Sequence, residues 1–253
     1  GFRLSSMKVS VRRLEELLDV KTEPFISSSH RRLTKVEGDI LFDDVSYAYQ
    51  EHIPLLKHVT FHIRAREKVV LYGPSGSGKS TLAKLLLRYY AQFQGEIQLD
   101  HIILTDYALE DIRTHITYVS QNETLFTDTI YHNVVLDQEI DYELFLKVCR
   151  ITRVDKIVKD HILGYDQVLE ENGFHLSGGE RQRIVLARTI LKKSAVFILD
   201  EAFNQIDISL EREILKDLFF FLRDRTILVI SHRYDNQDLF DRRLFMDGGT
   251  CRE

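Results

Sequence analysis

The chain has 253 residues, a formal net charge of −5 and no long Lys/Arg run, which argues against a nucleic-acid protein with a basic face. Its 44% hydrophobic content permits a sizeable core, and the length suits one large domain or two small ones. Two cysteines without metal-type spacing, Cys149 and Cys251, fit a reducing, cytosolic setting without a disulfide framework; no stretch approaches the roughly 18 apolar residues of a membrane span, and no signal peptide is visible.

Residues 1–36 differ from the rest. Between Met7 and Val20, the side chains of Val9, Val11, Leu14, Leu17 and Leu18 form an apolar stripe at near-helical spacing. A polar linker follows, through Thr22-Glu23-Pro24 and Ser27 to Arg32. A helix with no core of its own either docks on another part or packs on its own domain. From Gly38 the pattern is β-like: Ile40 to Phe42, Val45 to Tyr49, and Val59 to Ile63. Lys68 to Tyr72 reads as a short buried strand and Leu82 to Leu87 as a helix. Gly95 to Asp100 is another strand, Leu109 to His115 a short helix, and Ile116 to Val119 a strand running into Ser120-Gln121-Asn122. Residues 123–176 read as a mostly helical subdomain, with helical periodicity at Tyr142 to Cys149 and Val154 to Val158. Ala195 to Leu199 is a strand closing on Asp200-Glu201. Glu211 to Leu222 is a helix, Thr226 to Ile230 a strand ending at Ser231-His232, and Leu244 to Gly249 a final strand and turn. Residues 37–253 are expected to form one α/β domain.

The stretch that organises the rest is Gly73-Pro74-Ser75-Gly76-Ser77-Gly78-Lys79-Ser80-Thr81. It fits G-x-x-x-x-G-K-[ST], with a strand before it and a helix after it. Phosphates are drawn to the free N–H groups at a helix N-terminus. Glycines let the backbone bend around them. Lys79 adds a positive charge at the β/γ-phosphates, and the Ser80 hydroxyl can ligate Mg²⁺. A plain Gly/Ser turn would not call for Lys-Ser with both flanks in place. Asp200 ends a hydrophobic strand and would hold Mg²⁺; Glu201 follows and can polarise a water for attack on the γ-phosphate. Taken alone, Asp-Glu is a solvated strand end; with the loop it is more. Leu176-Ser177-Gly178-Gly179-Glu180-Arg181-Gln182-Arg183 has the same physical logic, offering Ser177 and two glycines at a helix start to an anion.

Leu-Ser-Gly-Gly between a phosphate loop and Leu-Asp-Glu resembles the signature of ATP-binding-cassette (ABC) ATPases, and the resemblance covers about residues 37–250. It implies a RecA-like mixed sheet of the P-loop NTPase kind, an antiparallel β subdomain and an inserted helical subdomain at about 123–176. It also implies ATP and Mg²⁺ as the bound species. Further positions match the family one at a time. Gln121 matches the glutamine loop, which reaches Mg²⁺ and couples to the membrane part. Tyr49 matches the aromatic that stacks on adenine, with core packing as its rival. His232 matches the switch histidine near the γ-phosphate. Asn204-Gln205-Ile206-Asp207 stands at the D-loop, usually Ser-Ala-Leu-Asp, and matches only at Ile206 and Asp207. Glu180 stands where Gln is usual, a polar swap expected to leave the chemistry alone. Arg66 and His101 replace usual turn glycines.

Leu163-Gly164-Tyr165-Asp166 and Glu170-Glu171-Asn172-Gly173 resemble the Glu-x-Gly segment of exporters, most closely those of peptides and bacteriocins. The segment Arg12 to Asp19 resembles the joint between the last membrane helix of such exporters and their ATPase. With Gly1 at the first position, the expectation is an excised nucleotide-binding domain, 37–253, preceded by a joining segment, 1–36. Its partners would be the transmembrane domain of the same transporter and a second nucleotide-binding domain, giving a homodimer, with no nucleic acid, at the cytoplasmic face of the cell membrane. The alternative is a soluble ABC-type ATPase of DNA repair or regulation. Repair cassettes carry a coiled coil or zinc insert, absent between Lys79 and Ser177, and regulatory ones usually pair two cassettes in one chain. A phosphate-loop kinase leaves Leu-Ser-Gly-Gly unexplained.

Overall fold

The structure, a computed structural model, describes residues 11, 35–50, 53–120, 123–136, 138–159, 161–170, 173 and 175–253. The expected N-terminal helix beyond Val11, its linker, Gln121 and the pair Glu171-Asn172 lie outside the described residues.

The first strands among the described residues are β1 (Ile40–Gln50) and β2 (Ile53–Ile63), paired antiparallel. The two runs read in sequence, Ile40 to Phe42 and Val45 to Tyr49, are one strand, and β1 runs through Asp43-Asp44 between them. Asp44 takes φ 52° and the register shifts between Phe42 and Val45. That bulge returns Val45 to the face that Ile40 and Phe42 bury, while both carboxylates stay in solvent. Then come β3 (Lys68–Tyr72), α1 (Lys79–Leu86), β4 (Gln94–Leu99), the two-residue β5 (Ile102–Ile103), α2 (Leu109–His115) and β6 (Ile116–Val119). The helical part holds α3 (Ile130–Val135), α4 (Tyr142–Ile151) and α5 (Val154–Val158). It is less helical than its sequence suggests: residues 123–129 are irregular, and beyond α5 the described residues up to Leu176 show 3₁₀ turns at Gly164–Asp166 and at Gly173 but no further α-helix. After it come α6 (Gly178–Ile190), β7 (Val196–Asp200), α7 (Ile208–Phe221), β8 (Thr226–Ser231), β9 (Arg242–Asp247) and β10 (Thr250–Arg252).

Two sheets result. One is antiparallel, in the order β2-β1-β4-β5; the other is mixed, in the order β10-β9-β3-β8-β7-β6, with its pairs parallel from β9 to β6 and β10 antiparallel at the edge. The strands β3, β7 and β8 read as unbroken apolar runs because both faces of the mixed sheet are covered. Val70, Phe197, Leu199, Ile227 and Val229 face one core with Ile184 of α6, Phe145 of α4 and Leu215 of α7. Val69, Leu71, Val196, Ile198, Leu228 and Ile230 face the other, with Leu82 and Leu85 of α1 and Ile40 and Phe42 of the antiparallel sheet. The period of two along each strand therefore divides its residues between two cores.

Local chemistry ends the helices. Thr129 caps α3 by accepting from the His132 N–H, and Asp207 caps α7 by accepting from the Ser209 and Leu210 N–H groups. Asn133, wholly buried, ties the irregular 123–129 segment to α3: its Oδ1 accepts from the Phe126 N–H at 2.8 Å, and its Nδ2 donates to the Phe126 carbonyl at 2.9 Å. Arg188 of α6 reaches the same place, donating to the Asn133 carbonyl at 2.7 Å and to the Thr124 carbonyl at 3.1 Å.

Candidate active site

The parallel register brings the ends of three strands to one level. Tyr72 pairs with Ser231, and Asp200 with Ile230. Gly73, Glu201 and His232 are the next residues along, so all three leave the sheet at its carboxyl edge, where open α/β sheets form their clefts. Val119 pairs with Leu199, so the segment toward Gln121 starts from the same edge.

The loop from Gly73 to Thr81 turns tightly. A Cβ on Gly73, at φ 150°, would lie 2.0 Å from the Met246 carbonyl oxygen. Gly78 caps α1 at φ 103°, and its carbonyl accepts the Thr81 and Leu82 N–H groups at 3.0 and 3.1 Å. α1 therefore begins at Lys79, three residues earlier than the apolar run implies, because the glycine cap and not Leu82 sets its start. Pro74, Ser75 and Gly76 form the exposed rim, while Ser77, Gly78, Lys79 and Thr81 are buried. The Lys79 ammonium donates to the Gly73 and Pro74 carbonyls at 2.8 and 2.7 Å. Burial lowers its pKa, and the charges of Glu201 and Asp200 oppose that shift.

Asp200 is buried at the end of β7. Its Oδ2 accepts from the Tyr118 hydroxyl at 2.8 Å. The Ser80 hydroxyl is near enough to act on its titration, yet Oδ1 has no partner in hydrogen-bonding geometry. Burial raises the Asp200 pKa, against the pull of Ser80 and Tyr118. Burial likewise drives the Tyr118 pKa up, so the phenol stays a donor. A buried carboxylate with one orphaned oxygen beside a hydroxyl is the donor set a hard divalent cation takes. Glu201 carries φ 54°, a left-handed conformation that costs a non-glycine residue about 1–3 kcal/mol. Its Oε1 lies 3.8 Å from His232 Nδ1, its Oε2 accepts from Asn204 Nδ2 at 2.7 Å, and its N–H donates to the Ile230 carbonyl at 2.9 Å.

Tyr49 is 53% exposed, and its hydroxyl is 3.0 Å from Thr81 Oγ1. It meets Tyr47 and Tyr90 edge-on. Core packing, the rival reading of this residue, does not describe so exposed a ring. Ser177, Gly178 and Gly179 line a separate open depression with Glu180, Arg183 and Asp207, which no residue of the phosphate loop lines. Here the Gln-to-Glu swap has a consequence. The Ser177 N–H and hydroxyl both donate to Glu180 Oε2, at 2.8 and 2.7 Å, completing a capping box. Burial pushes the Glu180 pKa up, but the Ser177 hydrogen bonds and the Arg183 charge outweigh it and hold the group below its usual value. The start of α6 thus already carries an anion of its own.

Sequence reading singled out Lys79, Ser80, Asp200, Glu201 and His232, and the structure brings them together; Ser177 to Gly179 lie apart, and Gln121 is outside the described residues. Sequence reading did not single out Tyr118 or Gln182, and it passed Asn204 over as a departure. The signal at Tyr118 was its place one residue before the end of β6, where it pairs with Ile198, two residues before Asp200 and on the same face of β7. Arg66 and His101, at φ 69° and 64°, hold the left-handed turns that glycine usually makes.

A sequence profile described as ABC transporter matches residues 56–204, more than half of the chain. The chain is 40% identical over 243 residues to the ATP-dependent lipid A-core flippase of Mannheimia succiniciproducens, covering 95% of this chain and 41% of that protein. It is 35% identical over 249 residues to the Lactococcin-G-processing and transport ATP-binding protein LagD of Lactococcus lactis subsp. lactis, covering 98% and 35%. A solved structure described as a bacterial Atm1-family ABC exporter with ATP bound matches with a TM-score of 0.87 at 29% identity, covering 97% of this chain and 43% of that one. The chain spans about two-fifths of the length of these relatives. Sequence and fold agree across nearly all of the chain, and it belongs to the ABC transporter family as an ABC ATPase domain.

Proposed function

We propose that this domain hydrolyses ATP to drive an exporter, with the chemistry carried by the residues gathered at the sheet edge. The single observation behind this is the convergence of Lys79, Asp200, Glu201 and His232 on the carboxyl ends of β3, β7 and β8. In this reading the loop N–H groups of Gly73, Ser75, Gly76, Ser77, Gly78 and onward to Thr81 hold the phosphates, with Pro74 shaping the loop but giving no N–H, and Tyr49 carries the adenine. Lys79 leaves its loop carbonyls for the β/γ-phosphates. Ser80, Asp200 and Gln121 would hold Mg²⁺, and the orphaned Asp200 Oδ1 fits that role. When bound, the ion offsets phosphate charge. Glu201 accepts the proton of the attacking water, and His232 faces the γ-phosphate. Ser177, Gly178 and Gly179 serve the nucleotide of a second copy of the domain, making a homodimer.

The experiment pairs two variants. Glu201→Gln keeps the shape and removes the charge; turnover is expected to fall about 10²–10⁴-fold with ATP binding retained. Lys79→Ala is expected to lose ATP binding instead. Near-normal turnover in the first, or equal affinity in the second, overturns the assignment of that residue.

We further propose that residues 1–36 join this domain to the membrane part of the same transporter, at the cytoplasmic face. What supports this is the likeness to longer exporters; no helix among the described residues is long and apolar enough to cross a membrane. The cargo reading with the most sequence support from the Gly-Tyr…Glu-x-Gly segment is a peptide, in line with 35% identity to LagD. The 40% identity to a lipid A-core flippase favours a lipid. Stimulation of ATPase turnover in the membrane-embedded transporter by peptides or by lipid A separates the two.

A further inference from the structure

The four residues at the D-loop position depart most from the family pattern, and their contacts suggest what the departure does. Glu201, in its left-handed conformation, begins a turn: the Asn204 N–H donates to the Glu201 carbonyl at 3.3 Å, and the Ile206 N–H donates to the Phe203 carbonyl at 2.9 Å. The turn folds the half-buried Asn204 side chain back, so that Nδ2 donates to Glu201 Oε2 at 2.7 Å. A carboxylate accepts only, so this contact has one polarity. Glu201 Oε1 is left toward His232 Nδ1, 3.8 Å away.

The turn is held from three sides. The Arg233 guanidinium, next to His232, donates to the Ile206 carbonyl at 2.9 Å and also to the Asn204 carbonyl. Gln182 of α6 accepts the Gln205 N–H at 2.9 Å, and its Nε2 reaches the Glu201 carbonyl at 3.4 Å. The Gln205 side chain lies against Gly178, where an added Cβ would sit 1.7 Å from its Oε1. Asn204 is therefore a preorganised donor, fixed to the strand end, to the switch-histidine loop and to the helix of Ser177.

We infer that Asn204 is a positioning residue that fixes the Glu201 carboxylate rotamer, binding one oxygen so that the other is aimed at the attacking water. The inference rests on the role proposed for Glu201. A free glutamate side chain samples several rotamers, and one charge-assisted hydrogen bond selects among them. A hydroxyl, as in the usual Ser at this place, is shorter and spans less of the gap.

The test uses the whole chain and three variants. Asn204→Asp keeps the shape but turns the donor into a second carboxylate; Asn204→Ala removes the donor; Asn204→Ser supplies a shorter one. Turnover is expected to fall about 10- to 100-fold in Asn204→Ala, further in Asn204→Asp, and less in Asn204→Ser, with the affinity for ATP unchanged within about twofold. A structural role alone would move affinity and melting temperature together with rate. In a Glu201→Gln background, single-turnover rates should no longer respond to Asn204→Ala, since the carboxylate to be positioned is gone. Wild-type turnover in Asn204→Asp, or an equal loss from Asn204→Ala in both backgrounds, overturns the inference. Should Asn204→Asp fail to fold, Asn204→Ala and Asn204→Ser carry the same comparison. A slow Glu201→Gln with a fast Asn204→Ala removes this inference alone; a fast Glu201→Gln removes the Glu201 assignment and this inference with it.

Discussion

Two buried lysines use the same bonds to different ends. Lys68 donates to the carbonyls of Arg66, Arg223 and Arg225 at 2.8, 3.0 and 2.7 Å, which spends all three donors of its ammonium on closing loops. Lys79 donates to the Gly73 and Pro74 carbonyls and, at 3.5 Å, to Ser77 Oγ, all within the loop that surrounds it, and the charges of Glu201 and Asp200 act on its titration. Glu211 gives a prediction at this scale. It is 6% exposed, and its Oε2 lies 3.5 Å from Arg233 Nη1. Burial pushes its pKa from 4.5 to about 7, opposed by the Arg233 charge and by Asn236 and assisted by Asp235. The folded chain therefore holds this proton at pH values where the unfolded chain has lost it. The contribution to stability is greatest below 4.5, declines as pH rises to about 7, and stays low above that. Glu211→Gln should flatten that decline; urea midpoints measured on either side of the window check it, and an unchanged slope would count against the buried Glu211 as its source.

At the scale of elements, the joint between the helical part and the mixed sheet is polar where a core would be apolar. Asn133 Oδ1 accepts from the Phe126 N–H at 2.8 Å and from Arg188 Nη2 at 3.2 Å, and Nδ2 donates to the Thr129 carbonyl at 3.0 Å. Burial lowers the Arg188 pKa, so the cation depends on these acceptors. Asn133→Ala strips one acceptor from a buried guanidinium and leaves the Phe126 amide unpaired, at an expected cost of about 2–3 kcal/mol. Denaturant titration of the whole chain reads that loss. A change under about 0.5 kcal/mol, the usual size for a surface site, would mean that water replaces the side chain.

At the scale of the molecule, the start of α6 lines a depression that no residue of the loop Gly73 to Thr81 lines, and in the proposed pairing each element supplies one half of a site. A head-to-tail pair of chains would complete both. Ser177 must then give up the Glu180 carboxylate to meet a partner's phosphate, so closure has a local cost that γ-phosphate contacts offset and ADP does not. In a Glu201→Gln background, Ser177→Arg should abolish ATP-dependent dimerisation while each chain still binds ATP. Sedimentation with ATP and with ADP makes the comparison; equal dimer in both variants with ATP removes the paired-site reading.

Much of this was legible in the sequence. Lys68 to Tyr72 and Val154 to Val158 match β3 and α5 end to end, because unbroken apolar runs and helical spacing are local properties. The motif residues Lys79, Ser80, Asp200 and Glu201 were legible for the same reason: a phosphate loop, a strand end and their flanks are contiguous. What sequence could not supply was whatever depends on register or on a turn. Ile40 to Phe42 and Val45 to Tyr49 read as separate runs, and the bulge at Asp44 joins them in one strand. Glu180 looked like a neutral swap until the cap geometry put its carboxylate on Ser177. Asn204 looked like a mismatch, because its meaning lies in a side chain folding back three residues onto Glu201. Local pattern determines which segments become strands and helices and which residues form the motifs; only the tertiary structure decides which side chains share hydrogen bonds, because those distances are set by sheet register and backbone turns and not by separation along the chain.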